Sequence, residues 1–157
     1  MEVKTKKSLI VILIIVFLFL AIFVSRSFSI YSNKSELEHG KAIINNQTVW
    51  LEIARTSAEQ IKGLSGRESM AEDEGMLFIF EPKTRPSFWM KGMQFPLDII
   101  WLVDNKIVDL NKNLAVPTGD NLATYEPKND INYAIEVNAG FADKNNLKIG
   151  DKIDLEF

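Results

Sequence analysis

An unbroken apolar run over residues 9–24 constrains this chain more than any other feature of its sequence. Its 16 residues are Leu, Ile, Val, Phe and one Ala, and none is charged. As a helix, residues 8–25 would measure about 27 Å, close to the roughly 30 Å hydrocarbon core of a bilayer. A buried helix of a soluble domain would carry a polar stripe, which this run lacks. The run therefore predicts a transmembrane helix over residues 8–26.

The apolar run fits both a retained signal anchor and a cleaved signal peptide, because lysines precede it. Ser27 and Ser29 permit cleavage, whereas the length of the run and the absence of alanines at the cleavage pattern favour an anchor. The short N-terminal tail favours a cytoplasmic N-terminus. We therefore expect residues 1–7 in the cytoplasm and the C-terminal domain outside it, secreted if the N-terminal segment is cleaved.

The remaining chain divides into a polar linker and one globular domain. Residues 27–46 are rich in Ser, Asn, Lys and Glu, which is typical of a linker, and residues 47–157 form the expected domain. From residue 28 onward, 14 Lys and Arg stand against 20 Asp and Glu, a net charge of −6. An acidic domain binds phosphate backbones poorly, so we expect no nucleic-acid partner.

Two residue types that build many catalytic centres are absent or nearly so. The chain has no Cys, which excludes disulfides, cysteine zinc sites and thiol nucleophiles, and His39 is its single His. One imidazole cannot make a metal site of the two-histidine type. We therefore expect no metal and no cofactor, and the sequence favours a non-enzymatic module while leaving an enzyme open.

Short apolar segments predict the fold of the domain. Thr48–Ala54 alternates polar and apolar residues as a half-buried strand does, and Thr56 with Glu59 makes a capping box for a short helix. We predict a mainly β (α+β) domain, a compact antiparallel sheet partly closed like a β-barrel, with one or two short helices. The predicted strands are 48–54, 75–80, 88–91, 97–103, 106–110, 133–137 and 152–157, and a second helical turn is predicted at 142–146.

Two carboxylates fall within otherwise apolar strands. Asp98 lies among Leu and Ile residues, and Glu136 lies among Ala, Ile and Val. A carboxylate that points inward needs a partner, and burial raises its pKa unless a cation compensates. The two residues are compatible with a general acid and base pair for glycoside cleavage. They are equally compatible with structural ion pairs to Arg67 or Lys91.

The stretch Phe88–Met93 surrounds a lysine with two aromatic residues and two methionines. In a strand, Trp89 and Lys91 would point to one face while Phe88 and Met90 point to the other. A Trp beside a cation is suited to stacking on a sugar or another planar group, but it also serves to cover a sheet edge.

Several separate blocks together resemble one known family, the domain of unknown function 192. The match extends from about Val49 to Phe157, and no activity is established for the family. The resemblance implies a small β-rich domain, often behind a signal peptide or membrane anchor in prokaryotes. The blocks are Gly63-Leu64-x-x-Arg67, Gly75-Met76-Leu77-Phe78, Phe88-Trp89-Met90-Lys91, Pro96-Leu97-Asp98-Ile99, Glu136-x-Asn138-Ala139-Gly140 and Gly150-Asp151.

These observations favour a membrane-tethered extracytoplasmic domain that acts as a binding or accessory module, with a glycan or protein of the cell envelope as its partner. The alternative is a carbohydrate-active envelope enzyme that uses Asp98 and Glu136 as its carboxylate pair. We expect the polar residues of the blocks to form one binding cluster at an edge of the sheet: Arg67, Trp89, Lys91, Asp98, Glu136 and Asn138.

Overall fold

The computed structural model describes residues 15–22, 37–119 and 122–157. The chain divides into two units, residues 1–36 and 37–157. In the first unit, residues 15–22 are helical and their side chains are exposed. Within the described residues, no helix combines the length and the apolar character needed to cross a membrane. Most of the predicted span 8–26 and all of the predicted tail 1–7 lie outside the described residues, so both stay predictions.

The described residues of the second unit form nine strands and two short helices. The helices are α1 (Ser57–Lys62) and α2 (Phe141–Lys144). The strands are β1 (Glu38–Ile44), β2 (Gln47–Ala54), β3 (Glu74–Thr84), β4 (Phe88–Trp89), β5 (Leu97–Val103), β6 (Lys106–Leu114), β7 (Thr124–Tyr125), β8 (Ile131–Asn138) and β9 (Asp154–Glu156).

Seven of these strands form one sheet in the order β6-β5-β8-β3-β2-β1-β9, while β4 pairs with β7 separately. Neighbours in the large sheet are antiparallel except β2 and β3, which are parallel, with Leu51 opposite Gly75. Parallel neighbours need a long connection, and residues 55–73, which contain α1, provide it. The prediction of a purely antiparallel sheet is therefore wrong at this one pair.

The large sheet curls until its two ends meet, as predicted for a partly closed barrel. Lys106 at the start of β6 forms an isolated antiparallel bridge with Lys152, just before β9. Around this bridge the Ile107 amide donates to the Asp151 carbonyl at 2.9 Å, and the Ile153 amide donates to the Asn105 carbonyl at 2.9 Å. These bonds satisfy backbone groups that an open sheet edge would leave exposed.

The two faces of the curled sheet carry separate apolar cores. One cluster joins Ala42 of β1, Ile107 of β6 and Ile153, which come from opposite ends of the strand order, so it fills the concave face. The other cluster contains Met76, Phe78 and Ala134 on the convex face. The convex core is packed by Leu64 after α1 and by Phe88 of β4. The segments that cover this convex face also shape the candidate site.

The structure confirms the predicted start of α1 but not the predicted end of the linker. The Thr56 hydroxyl accepts from the Glu59 amide at 3.3 Å while the Glu59 carboxylate accepts from the Thr56 amide at 2.8 Å, which confirms the capping box. The linker prediction is wrong at its end, because residues 38–44 form β1 between β2 and β9. β1 buries Ala42 and Ile44 within a polar stretch whose composition hides the strand.

Candidate functional site

A cavity of about 190 Å³ opens on the convex face, between α1 with the residues after it and β4 with the residues before it. Its walls are mostly apolar and include three Phe side chains, Phe78, Phe80 and Phe88. Polar groups line it at few points: Ser57, Gln60, Lys62, Ser65, Ser87 and Glu136. An apolar, concave site with few polar groups is the usual form of a small-molecule site.

Glu136 of β8 provides the acidic group of this cavity. Its side chain is 6% exposed, and within the described residues its carboxyl group has no hydrogen-bond or ion-pair partner. Burial raises the pKa of Glu136 from 4.5 to about 8, and the positive charge of Arg67 opposes part of that rise. At neutral pH the group is therefore mainly a protonated acid that can both donate and accept.

Gly75 allows β8 to approach β3 closely enough to place Glu136. A Cβ atom at Gly75 would lie 2.7 Å from the Glu136 carbonyl oxygen and 3.1 Å from Leu51 Cδ2. Because the first of these atoms is backbone, a side chain at this position would force the strands apart. The glycine of the Gly75–Phe78 block is thus explained by strand packing at the residue that lines the cavity.

Arg67 lies beside the cavity but its charge is already engaged. Its guanidinium donates to both carboxylate oxygens of Glu52 on β2, at 2.5 and 2.6 Å. The hydrogen bonds from Arg67 hold the pKa of Glu52 below its ordinary value, against a smaller opposing effect of burial. Glu52 and Glu136 pair with the same residue, Met76, from opposite sides of β3, so both carboxylates belong to the convex face.

Trp89 forms part of the rim of the cavity. Its ring is 41% exposed, and Ile61 on the α1 side is 64% exposed. Phe88 packs inward, with its ring edge-on to Phe78 at 4.8 Å and to Trp101 at 4.9 Å. Burial alternates as predicted for this stretch, since Met90 is buried and Lys91 is exposed. The inward ring holds β4 in place and leaves Trp89 available at the opening.

The structure places Asp98 away from the site. Its side chain shares the concave face with Ile100 and Leu102 of the same strand. Its two carboxylate oxygens accept from the backbone amides of Asn113 at 2.7 Å and Ala142 at 2.8 Å. Asp98 therefore ties β6 and α2 to the sheet. It lies on the face opposite Glu136, so the two residues do not form the carboxylate pair of the alternative, enzymatic hypothesis.

Asn138 and Lys91, the other two predicted site residues, also lie outside the lining of the cavity. The Asn138 side-chain amide donates to the carbonyls of Met70 and Ala71 at 3.1 and 2.9 Å, and so fixes residues 70–73 before β3. Lys91 lies next to a different, open depression with Pro117 and Leu122. The expected single cluster of six is thus corrected: Glu136 and Trp89 share the cavity, Arg67 lies beside it, and the other three lie elsewhere.

Sequence reasoning missed several residues of the cavity. Phe78, Phe80 and Gln60 reach the site from segments read as core or helix. Sequence reasoning also missed the partner of Arg67: Glu52 does not line the cavity, and although it lies at a polar position of the predicted strand 48–54, its pairing with Arg67 was not predicted. Among the residues that the structure describes, no group of three or more His, Cys, Asp or Glu side chains is arranged to hold a metal ion.

Comparison with known proteins identifies a family and a fold. The family DUF192, described as an uncharacterized ACR, matches residues 40–155. The match begins earlier than the resemblance seen in the sequence and includes most of β1. No curated protein matches the chain.

Two solved structures resemble the chain. One is a protein proposed to be a transcription regulator, from Sinorhizobium meliloti 1021, with 24% identity and a TM-score of 0.71 over 78% of this chain and 98% of that one. The other is a protein of unknown function from Novosphingobium aromaticivorans DSM 12444, with 29% identity and a TM-score of 0.69 over 78% of this chain and 89% of that one. At 24% identity the first likeness shows the fold alone.

Proposed function

The chain belongs to the DUF192 family, and from that premise we propose that its domain is a small-molecule-binding module whose site is the Glu136 cavity. One observation carries the proposal: a carboxyl group more than nine-tenths buried lines an open apolar cavity without a partner from the described residues. Burying a carboxyl group without a partner costs free energy, which a ligand would recover by hydrogen bonding to it.

The shape and chemistry of the cavity support binding. Its volume of about 190 Å³ suits one ring or a branched chain, since an apolar cavity of about 150 Å³ holds one benzene ring. Trp89 and Ile61 add exposed apolar surface at the opening. A compact ligand would therefore exchange contacts with water for contacts with Phe and Trp rings.

We place this module outside the cytoplasm, tethered by residues 8–26 or released if that segment is cleaved. The apolar run of 16 residues and the helical state of residues 15–22 support a tether. A fusion of a reporter enzyme to Phe157 that is active only outside the cytoplasm tests the location. Activity of the fusion supports the proposal, and an inactive fusion at normal protein levels overturns it.

Thermal unfolding of the full chain in detergent, screened against envelope glycans, amino acids, amines, carboxylic acids and nucleotides, tests the binding function. A ligand that binds the native state raises the midpoint temperature by mass action. We expect a stabilising ligand whose effect is lost in Trp89→Ala, because that variant removes the rim of the cavity. Trp50→Ala is the matched control, since Trp50 is exposed on β2 and does not line the cavity.

If the ligand's stabilising effect were lost equally in Trp89→Ala and Trp50→Ala, the ligand would not bind in the Glu136 cavity. That result would overturn the assignment of the site. Failure of every compound in the screen would overturn the binding function itself. Both variants are first compared with the original chain by circular dichroism, so that loss of fold is not mistaken for loss of binding.

A further inference from the structure

The charges that face the cavity indicate what kind of head group a ligand carries. Glu136 lines it, Lys62 of α1 is exposed at its edge, and Arg67 lies beside it. The guanidinium of Arg67 is engaged by both oxygens of Glu52, so it does not pair with Glu136. Lys62 and Glu136 both lack a hydrogen-bond or ion-pair partner among the described residues, but Lys62 is exposed to water, whereas Glu136 is buried. The buried group at the cavity that still lacks a counterpart is therefore an acid.

The rings around Glu136 favour a cation over a neutral group. Phe78, Phe88 and Trp89 all line the cavity, and the faces of aromatic rings attract cations. A carboxylate combined with several aromatic rings is a chemical environment suited to an organic ammonium ion. The net charge of −6 from residue 28 onward also raises the local concentration of cations over anions.

We propose that the cavity binds a compact organic ammonium ion, with its nitrogen against the Glu136 carboxylate and its apolar body against Phe78, Phe88 and Trp89. This inference rests on the proposed binding function and specifies the chemical class of its ligand. The volume of about 190 Å³ limits the body to a ligand near the size of benzylammonium.

Binding an ammonium ion requires Glu136 to be ionised, so binding below the pKa of Glu136 releases a proton. Two other charged groups face it: Lys62 from α1, which lines the same cavity, and Arg67 from the following loop, whose positive charge lowers the pKa of Glu136. Further along the sheet, Glu52 on β2 pairs with Arg67, and His39 on β1 lies opposite Glu52. Burial raises the pKa of Glu136 to about 8. The affinity for the ammonium ion should therefore increase about tenfold for each unit by which the pH rises toward that value.

Isothermal titration of the full chain in detergent tests the inference with three ligands of similar shape: benzylammonium, benzyl alcohol and benzoate. We expect benzylammonium to bind at least about tenfold more tightly than either analogue at pH 8. Titration in buffers of different ionisation enthalpy should show proton release at pH 7. Glu136→Gln should abolish both the preference and the proton release.

Two variants sharpen the result. Asp109→Asn is the matched control for a buried carboxylate, since Asp109 is 8% exposed and pairs with Lys128 at 3.3 Å. It should leave the ammonium preference unchanged. Lys62→Gln removes a positive charge from the edge of the cavity, so it should strengthen benzylammonium binding and weaken any binding of benzoate.

The outcomes separate this inference from the function on which it rests. Binding of benzyl alcohol or benzoate as tight as that of benzylammonium, and sensitive to Trp89→Ala, would overturn the ammonium class and leave the cavity a binding site. The same conclusion follows if the wider screen yields only non-cationic ligands. Absence of binding by all three ligands and by the wider screen would overturn both.

Discussion

Asp98 and Glu136 lie on neighbouring strands, only one residue out of register, yet their carboxyl groups belong to opposite faces of the sheet. Ile99 pairs with Glu136, and Asp98 pairs with Val137. Because side chains alternate along a strand, this offset sends Asp98 to the concave face and Glu136 to the convex face. The Asp98 carboxylate accepts hydrogen bonds from two backbone amides. The Glu136 carboxyl group lines a cavity and has no partner among the described residues.

Replacing Asp98 by Ala should destabilise the domain strongly. The buried amide of Ala142 and the partly buried amide of Asn113 would lose their charged acceptor, at a cost of about 2–4 kcal/mol. Asp98→Asn keeps one carbonyl oxygen and should cost less. Urea denaturation of the three proteins measures the difference. An Asp98→Ala variant as stable as the original chain would show that these two hydrogen bonds do not hold α2 and β6.

Replacing Glu136 by Gln should change how stability depends on pH. The pKa of Glu136 is raised from 4.5 in the unfolded chain to about 8 in the folded one, so its contribution is present below pH 4.5. That contribution is lost as pH rises from 4.5 through 8, because in this window the unfolded chain ionises Glu136 freely while the folded protein holds it protonated. The original chain should therefore lose on the order of 5 kcal/mol over this window relative to Glu136→Gln.

Urea denaturation at several pH values between 4 and 9 measures this difference between the two proteins. Relative to Glu136→Gln, the free energy of unfolding of the original chain should fall steadily as pH rises from about 4.5 to 8, and then level off. Parallel curves for the two proteins would mean that Glu136 ionises with an ordinary pKa and is not buried as described.

Removing Arg67 tests the ion pair beside the cavity. Arg67→Gln should cost roughly 1 kcal/mol, because both side chains are about a third exposed and solvent screens the pair. The pKa of Glu52 is lowered by Arg67, so this stabilisation is present above the ordinary Glu pKa and is lost as pH falls. In the variant, the pKa of Glu52 should return toward its ordinary value and that of Glu136 should rise further.

An NMR pH titration of the Arg67→Gln protein measures both pKa values, because the chemical shifts of the carboxyl carbons of Glu52 and Glu136 change on ionisation. Glu52→Gln serves as the companion variant, since it breaks the same pair from the other side. An unchanged titration of Glu136 in the Arg67 variant would contradict the proximity of the guanidinium to the cavity.

Adding a methyl group at Gly75 should separate β3 from β8. Its Cβ would lie 2.7 Å from the Glu136 carbonyl oxygen, and relief of that contact should cost about 1–3 kcal/mol. Gly66→Ala is a useful comparison, because nothing lies within 4 Å of a Cβ there and only its positive φ is strained. Thermal unfolding ranks the two. A Gly75→Ala protein as stable as Gly66→Ala, with unchanged ligand binding, would contradict the role of this contact in placing Glu136.

The sequence alone determined the features that depend on neighbouring residues. The capping box of Thr56 and Glu59 and the alternation in 48–54 both follow from local backbone preferences. The family blocks were likewise readable, because they are strings of residue types in a fixed order. These features needed no knowledge of which strand lies beside which.

Only the tertiary structure decided how the strands pair and which carboxylate reaches the cavity. Alternation within β5 and β8 is visible in the sequence, but the concave or convex assignment of each face depends on the curl of the whole sheet. The parallel pair of β2 and β3 and the insertion of β1 are likewise non-local. The physical reason is that hydrogen bonds between strands distant in sequence set the register, and register decides whether a buried acid such as Asp98 or Glu136 meets backbone amides or an open cavity.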